Sequence, residues 1–372
     1  MKKIKILCTI GPASHSEDTI RELVANGMNA ARINTSHGDF EQYKQVIETV
    51  RRVANVPIVM DTQGPKVRLR MQKTSLPIQA GDTIRIGFHD RDEFYLDASI
   101  HSELQVGDRA MVDDGAFEAT IQDKDPHSIL LCFKNRGELF NGKAVNFPKK
   151  NLSLAPLTEK DIRSLQFARE MKIDFVALSF TRGKEDIQAC RSQLENSAVK
   201  IIAKIENQQG IDNFEEILKY ADGVMVARGD MGVELPPQEI PMVQKRLIRE
   251  CCAFSRLVIT ATQMLQSMID SPRPTRAEIS DVANAILDGS DVVMLSGETT
   301  IGKYPVEAVR MMSDIAQSAE PYIDVQQPSL EHSVESSICD SVRMLCHSAG
   351  VTKIVCSTRR GRTARMISRL RM

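Results

Sequence analysis

The chain has no C-x-x-C motif and no His/Cys spacing of a metal-binding kind, and of its eight cysteines only Cys251 and Cys252 are adjacent. Those absences exclude a disulfide framework and a zinc module. They predict free, mostly buried thiols and a reducing cytoplasmic setting. Long apolar runs are missing too: none approaches the roughly 20 residues of a membrane span. The opening MKKIKILCTIGPAS begins basic, but Cys8, Thr9 and Gly11 interrupt its short apolar run, so it reads as a strand and turn rather than a signal peptide. An excess of either charge is also lacking. The formal net charge is −1, which gives no overall field favouring nucleic acid or a membrane surface. From Ser341 to Met372 there is no Asp or Glu against eight Lys or Arg, and a solvated basic face is the plainer reading of that stretch.

What is present is ordinary globular material. The 372 residues are 42% hydrophobic and 26% charged, enough for two or three domains, or one large barrel with appendages. Short apolar runs at 4–10, 29–34, 57–61, 174–180, 200–206, 223–227, 257–262 and 291–296 predict strands. Helical stretches fit at 16–26, 39–54, 158–171, 184–196, 211–220, 238–254, 275–287 and 304–319. The strands are apolar nearly throughout, as buried parallel strands are. Eight alternating pairs predict a closed α/β barrel of the (β/α)8 TIM type.

One connection breaks the rhythm. Residues 67–153 lack helical periodicity and carry short β-like runs punctuated by Gly-Asp, Asp-Gly and Asn-Gly turns. An unstructured loop of that length is improbable in a compact domain, so an inserted all-β barrel is expected there. The catalytic barrel then comprises 1–66 and 154–322. Beyond 323, the polar stretch DVQQPSLEHS leads to a helix, a strand at KIVCS and the start of another helix. That is too little to close a domain, so 323–372 reads as an incomplete α/β unit.

In such barrels chemistry sits at the C-terminal ends of the strands. Polar residues gather there: Arg32, Asn34, Ser36 and His37 after the second strand; Asp61, Thr62, Lys66 and Arg68 after the third; Lys204 and Glu206 at the fifth; Arg228, Gly229 and Asp230 at the sixth; Thr262 and Gln263 at the seventh; Ser296, Gly297 and Glu298 at the eighth. A single one could be a turn or capping residue, but six strand ends together point to a site. Glu206 and Asp230 are hard oxygen donors on neighbouring strands, which suits Mg²⁺ sharing its remaining positions with water and phosphate. Lys204, two residues before Glu206, points to the same side and can neutralise a phosphoryl group in flight. Arg32 offers a planar fork for phosphate. With no Ser-His-Asp or Cys-His arrangement, covalent hydrolysis is not expected.

At these residues the chain resembles the pyruvate kinase family. CTIGPAS, ARINTSHG, DTQGPKVR, AKIENQQG, VARGDMGVELP, ATQMLQSM, MIDSPRPTRAEISDVANAILDGSD and MLSGETTIGKYP match that family's motifs in order, across nearly the whole chain. The resemblance implies a barrel with a β-barrel lid (67–153), a C-terminal α/β regulatory domain (323–372), and phosphoryl transfer from phosphoenolpyruvate to ADP, giving pyruvate and ATP. It implies that Glu206 and Asp230 hold Mg²⁺ or Mn²⁺, that Lys204 stabilises the moving phosphoryl and the enolate, and that Arg32 grips phosphate. The N–H groups of Gly229 and Asp230, with Thr262, would bind the substrate carboxylate. Ser296 and Glu298, with Thr262 and ordered water, would belong to the relay that protonates the enolate. Pro12, Asn34, His37, Arg68 and Lys184 would lie near the nucleotide, and Asn34, Ser36, Asp61 and Thr62 would form a monovalent-cation site. A cytoplasmic homo-oligomer, tetrameric in the family, is implied, with no nucleic-acid or membrane partner.

The chain departs from the family pattern at three points. Lys66 stands where potassium-dependent members carry Glu, and Gln63 and Leu69 fit the same potassium-independent group, so little K⁺ requirement is expected. Gly183 stands where many members have a Lys, with Lys184 one place later. Arg360 replaces a usual Ser in the effector loop, and the chain stops short of a typical member, which weakens the expectation of allosteric control and of a full tetramer interface. Two other readings compete with an active kinase: a different barrel handling phosphoenolpyruvate or oxaloacetate, disfavoured by the insert and ARINTSHG, and a binding-only homologue, disfavoured by the complete catalytic set. Arg228 has no clear role from sequence, and a pairing with Glu206 or Glu234 is one option.

Overall fold

The computed structural model describes residues 3–195, 197–323, 333–351, 353–359 and 361–368. Eight strands form a closed parallel barrel: β1 (Lys5–Thr9), β2 (Ala30–Asn34), β3 (Ile58–Asp61), β4 (Phe175–Leu178), β5 (Lys200–Ile205), β6 (Gly223–Ala227), β7 (Leu257–Ala261) and β8 (Val292–Leu295). Neighbours in sequence are neighbours in the ring, and β1 closes it by pairing with β8 as well as β2. These strands are buried on both faces, which is why their sequences are apolar rather than alternating. Leu7, Val59, Ile202, Met225, Ile259 and Met294 fill the barrel interior, while residues such as Ile6, Ile201, Val224 and Val293 pack outward against the helices.

Helices lie within each expected span, and several start where the sequence signals a cap. Asp39, Thr158 and Thr275 each accept from the backbone N–H three residues on and donate their own backbone N–H to the side chains of Gln42, Asp161 and Glu278. The stretch expected as one helix over 211–220 is two short ones, Gln208–Asp212 and Phe214–Tyr220. Turns after β6 and β8 add the short helices Arg228–Glu234 and Gly297–Thr300.

Between β3 and the helix Glu159–Glu170 the chain folds into antiparallel sheets around an apolar cluster of their own, including Leu69, Ile86, Leu104, Val112, Ile121, Leu131 and Phe133. The hydrogen-bonded strands form one five-stranded sheet and two two-stranded ones, linked by isolated bridges at Arg68–Ala144 and Gly87–Tyr95 rather than by one continuous ladder.

Toward the C-terminus, helices Val334–Ala349 and Arg362–Ser368 pack on each other, with Cys339 and Met366 buried between them. The strand expected at KIVCS is absent from the described residues 353–359. An extended segment with no partner strand has nothing to satisfy its backbone in a ladder. Residues 324–332 of the expected linker, and Arg360, lie outside the described residues. No disulfide joins any of the eight cysteines, and all are buried except the half-buried Cys132 and Cys356. No helix among the described residues is long and apolar enough to cross a membrane.

Candidate active site

The polar strand ends converge on one buried charge network. Arg32, in the middle of β2, donates from Nε to Asp61 Oδ2 at 2.6 Å and from Nη1 to Thr9 Oγ1 at 2.9 Å. Asp61 Oδ1 takes Lys204 Nζ at 3.0 Å, and the same ammonium reaches Ser179 Oγ at 2.7 Å and Glu206 Oε1 at 3.0 Å. Lys204 and Glu206 therefore do face the same side of β5. The other Glu206 oxygen accepts the N–H of Phe180 at 2.7 Å. Phe180 reaches it from a left-handed backbone (φ 54°) just beyond β4.

Across from this chain, Lys66 Nζ pairs with Asp230 Oδ1 at 2.8 Å and lies over the Phe180 ring, 5.0 Å from its centroid. Asp230 in turn lies near enough to Glu206 for the two carboxylates to influence each other's charge. Three cations thus meet three carboxylates: Arg32, Asp61, Lys204 and Glu206 are buried, while Lys66 and Asp230 stand half-buried at the open side. Gly64, which starts the turn that leads to Lys66, is left-handed (φ 72°), and a Cβ there would lie 2.8 Å from Ser179 Cβ. Only glycine fits that approach.

The electrostatics follow from burial against pairing. Burial pushes Asp61 up, but Arg32 and then Lys204 outweigh it and hold the carboxyl below the usual range. Burial works against the Lys204 charge, yet Asp61 and Glu206 hold the ammonium above the ordinary lysine range. Glu206 is pushed up to about 7 by burial, which the nearby Asp230 reinforces and Lys204 only partly offsets. Burial also opposes ionisation of Asp230, but Lys66 and Lys204 keep it below the usual range. Two adjacent carboxylates competing for positive charge are what a divalent cation would satisfy. Among the described residues no group of three or more His, Cys, Asp or Glu forms a cage, so a metal here would keep positions for water and substrate, as Mg²⁺ does.

Comparison with known proteins agrees with this architecture. The sequence matches the family profile described as pyruvate kinase, barrel domain, over residues 1–309. The pyruvate kinase of Staphylococcus aureus strain MRSA252 is 44% identical over 392 aligned positions, covering all of this chain and 67% of the relative. That of Bacillus licheniformis is 45% identical over 394, with the same coverage. The chain belongs to the pyruvate kinase family. Pyruvate kinases are phosphotransferases, and in general they depend on a divalent metal and on K⁺.

Other residues that the pyruvate kinase resemblance singled out are placed as follows. Thr262 is left-handed (φ 71°), and its Oγ1 accepts the N–H of Gly229 at 2.7 Å. Glu298 is fully buried and accepts the N–H groups of Leu265 (3.0 Å) and Ser296 (2.8 Å), so it braces the backbone, while Ser296 Oγ is buried with no hydrogen-bond partner. Pro12, Ser36 and His37 are exposed. Arg68 Nη1 donates to Gly142 O in the insert at 2.9 Å. Lys184 is held by Glu216 at 2.7 Å. Asn34 Oδ1 accepts the N–H of Ser36 at 3.1 Å, and Thr62 Oγ1 bonds Ala177 O and Ser179 N, so these side chains serve local backbone. Lys66 pairs with Asp230 rather than with the Asn34, Ser36, Asp61 and Thr62 group.

Arg228 pairs with neither Glu206 nor Glu234. It binds Asp281 at 2.7 Å, because its side chain turns outward from β6 toward the helix Arg276–Leu287. Glu234 instead accepts from Asn146 of the insert at 2.8 Å. Sequence reasoning missed Ser179 and Thr9 as members of the network. The available signal for Ser179 is its polar position at the end of the apolar strand Phe175–Leu178.

Proposed function

We propose that this chain transfers the phosphoryl group of phosphoenolpyruvate to ADP at the C-terminal face of the barrel, with Lys204 at the centre of the chemistry. The observation that carries this reading is the Lys204 ammonium, buried and held between Asp61, Ser179 and Glu206 at 2.7–3.0 Å. Such an ammonium has few rotational choices, so it meets developing charge without reorganising. Three cations against three carboxylates leave the protein side of the site near neutrality. A divalent cation on Glu206 and Asp230 would give a net positive site, complementary to a phosphate and a carboxylate. Mg²⁺ or Mn²⁺ bound there supplies charge neutralisation at phosphoryl oxygens.

Arg32 is held flat by Asp61 and Thr9, which presents its guanidinium to phosphate. The N–H groups of Gly229 and Asp230, with the Thr262 hydroxyl, orient the carboxylate. Ser296, whose hydroxyl has no other partner, delivers a proton toward the enolate carbon, and Glu298 holds the backbone that carries it. Lys66 supplies the charge that K⁺ gives elsewhere. Pro12, Asn34, His37, Arg68 and Lys184 frame the nucleotide, and the insert 67–153, joined to the barrel through Asn146 and Glu234, closes over the site and excludes water. The units 1–66 with 154–322, 67–153 and 323–372 are the proposed domains, and a homo-oligomer is the proposed assembly.

A lactate dehydrogenase-coupled assay of purified protein with phosphoenolpyruvate, ADP and Mg²⁺ tests this. Pyruvate formation is expected. Folded protein that forms none overturns the reading in favour of a binding-only homologue.

A further inference from the structure

Two consecutive residues beyond β7, Thr262 (φ 71°) and Gln263 (φ 55°), adopt the left-handed conformation. That is unfavourable for any L-residue and more so for a β-branched one, so the surrounding structure must hold it. The holding group is the guanidinium of Arg228, which is 8% exposed. Its Nη2 donates to Thr262 O at 2.7 Å and Gln263 O at 3.2 Å, and its Nε donates to Thr262 O at 3.2 Å. On the far side Nη1 is fixed by Asp281 at 2.7–2.8 Å and by Gln244 at 3.2 Å. All three guanidinium nitrogens are therefore committed inside the protein. Lysine, with one nitrogen, cannot span two carbonyls and a carboxylate in one plane.

The bend has a definite product. It brings Thr262 Oγ1 to 2.7 Å from the Gly229 nitrogen, the residue next to Arg228 itself. We propose that Arg228 is a positioning residue for substrate recognition: braced by Asp281, it locks the end of β7 against the end of β6 so that the Thr262 hydroxyl and the Gly229 N–H form one carboxylate cradle. The proposal rests on the phosphoenolpyruvate reading above. Without substrate the hydroxyl accepts the Gly229 N–H and donates to Ala261 O at 2.6 Å, so the carboxylate enters by exchange, taking the N–H and then the hydroxyl proton. Arg228 touches no substrate atom and acts only through Thr262.

The test is a double-mutant cycle read in steady-state kinetics and thermal melting. Arg228→Lys and Thr262→Ala are each expected to raise KM for phosphoenolpyruvate about tenfold or more, with KM for ADP near the parent value. The double variant is expected to be no worse than the weaker single, because the two changes remove one interaction. Asp281→Asn, which keeps a hydrogen bond to Arg228 but drops the charge, is expected to give a smaller rise in the same parameter. Effects that multiply in the double variant, KM values for both substrates rising together, or an unchanged KM for phosphoenolpyruvate each overturn the proposal. If Arg228→Lys does not fold, Asp281→Asn with Thr262→Ala completes the same cycle. Absence of turnover in the parent protein sinks the phosphoenolpyruvate reading itself, whereas parent turnover with a neutral Arg228→Lys sinks only this inference.

Discussion

The ammonium of Lys66 stands 2.8 Å from the carboxylate of Asp230, a residue 164 positions further along the chain. The pair puts a fixed positive charge beside the proposed metal carboxylates. Turnover in K⁺-free, Na⁺-free buffer is therefore expected to be close to turnover with K⁺ added. Lys66→Gln removes that charge, and its turnover should fall and respond to added K⁺. A parent enzyme that is silent without K⁺ and strongly activated by it contradicts this.

Among the described residues, Lys204 is the only cation that touches Asp61 and Glu206 together. Lys204→Met should lower kcat by about 10²–10³-fold, the usual scale for losing one electrostatic contact to a transition state. It also leaves the buried Glu206 without a cation, while Asp61 keeps Arg32, so stability should fall by as much as about 3–5 kcal/mol. Mg²⁺ should recover part of that loss, because a dication supplies the missing charge. Differential scanning fluorimetry with and without Mg²⁺ reads this directly.

Chelation should separate activity from folding. Lys66, Lys204 and Arg32 already balance Asp61, Glu206 and Asp230, so the protein needs no metal to neutralise the site. Excess EDTA is expected to abolish pyruvate formation while leaving the far-ultraviolet circular dichroism unchanged, and added Mg²⁺ should restore turnover. Unfolding on chelation would show that the metal is structural.

Acid should loosen the insert through Asp125. Hydrogen bonds from Ser128 Oγ and from the N–H groups of His127 and Ser128, with Arg85 nearby, hold its carboxyl at about 2 against an ordinary 3.8. A depressed folded pKa contributes stability that is fully present above the unfolded value and is lost as pH falls toward 2. The urea midpoint of the parent should therefore drop between about pH 4 and pH 2, and Asp125→Asn should flatten that part of the curve. A parent and variant with parallel profiles would remove Asp125 from this role.

Much of this was legible in the chain because each feature has a local cause. β1 to β8 are short runs buried on both faces, and Asp39, Thr158 and Thr275 announce their helices. Lys204 and Glu206 declare a shared face by their two-residue spacing. What stayed hidden depends on which distant residues meet. Arg228 lies 53 positions from its partner Asp281, and nothing in VARGDMG says that the side chain turns away from the site. Ser179 looks like any turn serine until Lys204 arrives from the next strand. The splitting of 211–220 follows from Asn213, which caps one short helix at its end and begins the next. KIVCS has the composition of a strand, but a strand is a property of two segments.

The pairing of β1 with β8 has a consequence for how the chain is made. β1 is made before the other barrel strands, and its second neighbour, Val292–Leu295, follows only after all of them. Once β7 has been made and until β8 follows, the growing polypeptide carries two open parallel edges, at β1 and at β7. Closure is therefore a late, single event, and a ribosome stalled before residue 292 holds a protein with exposed strand edges of the kind chaperones bind.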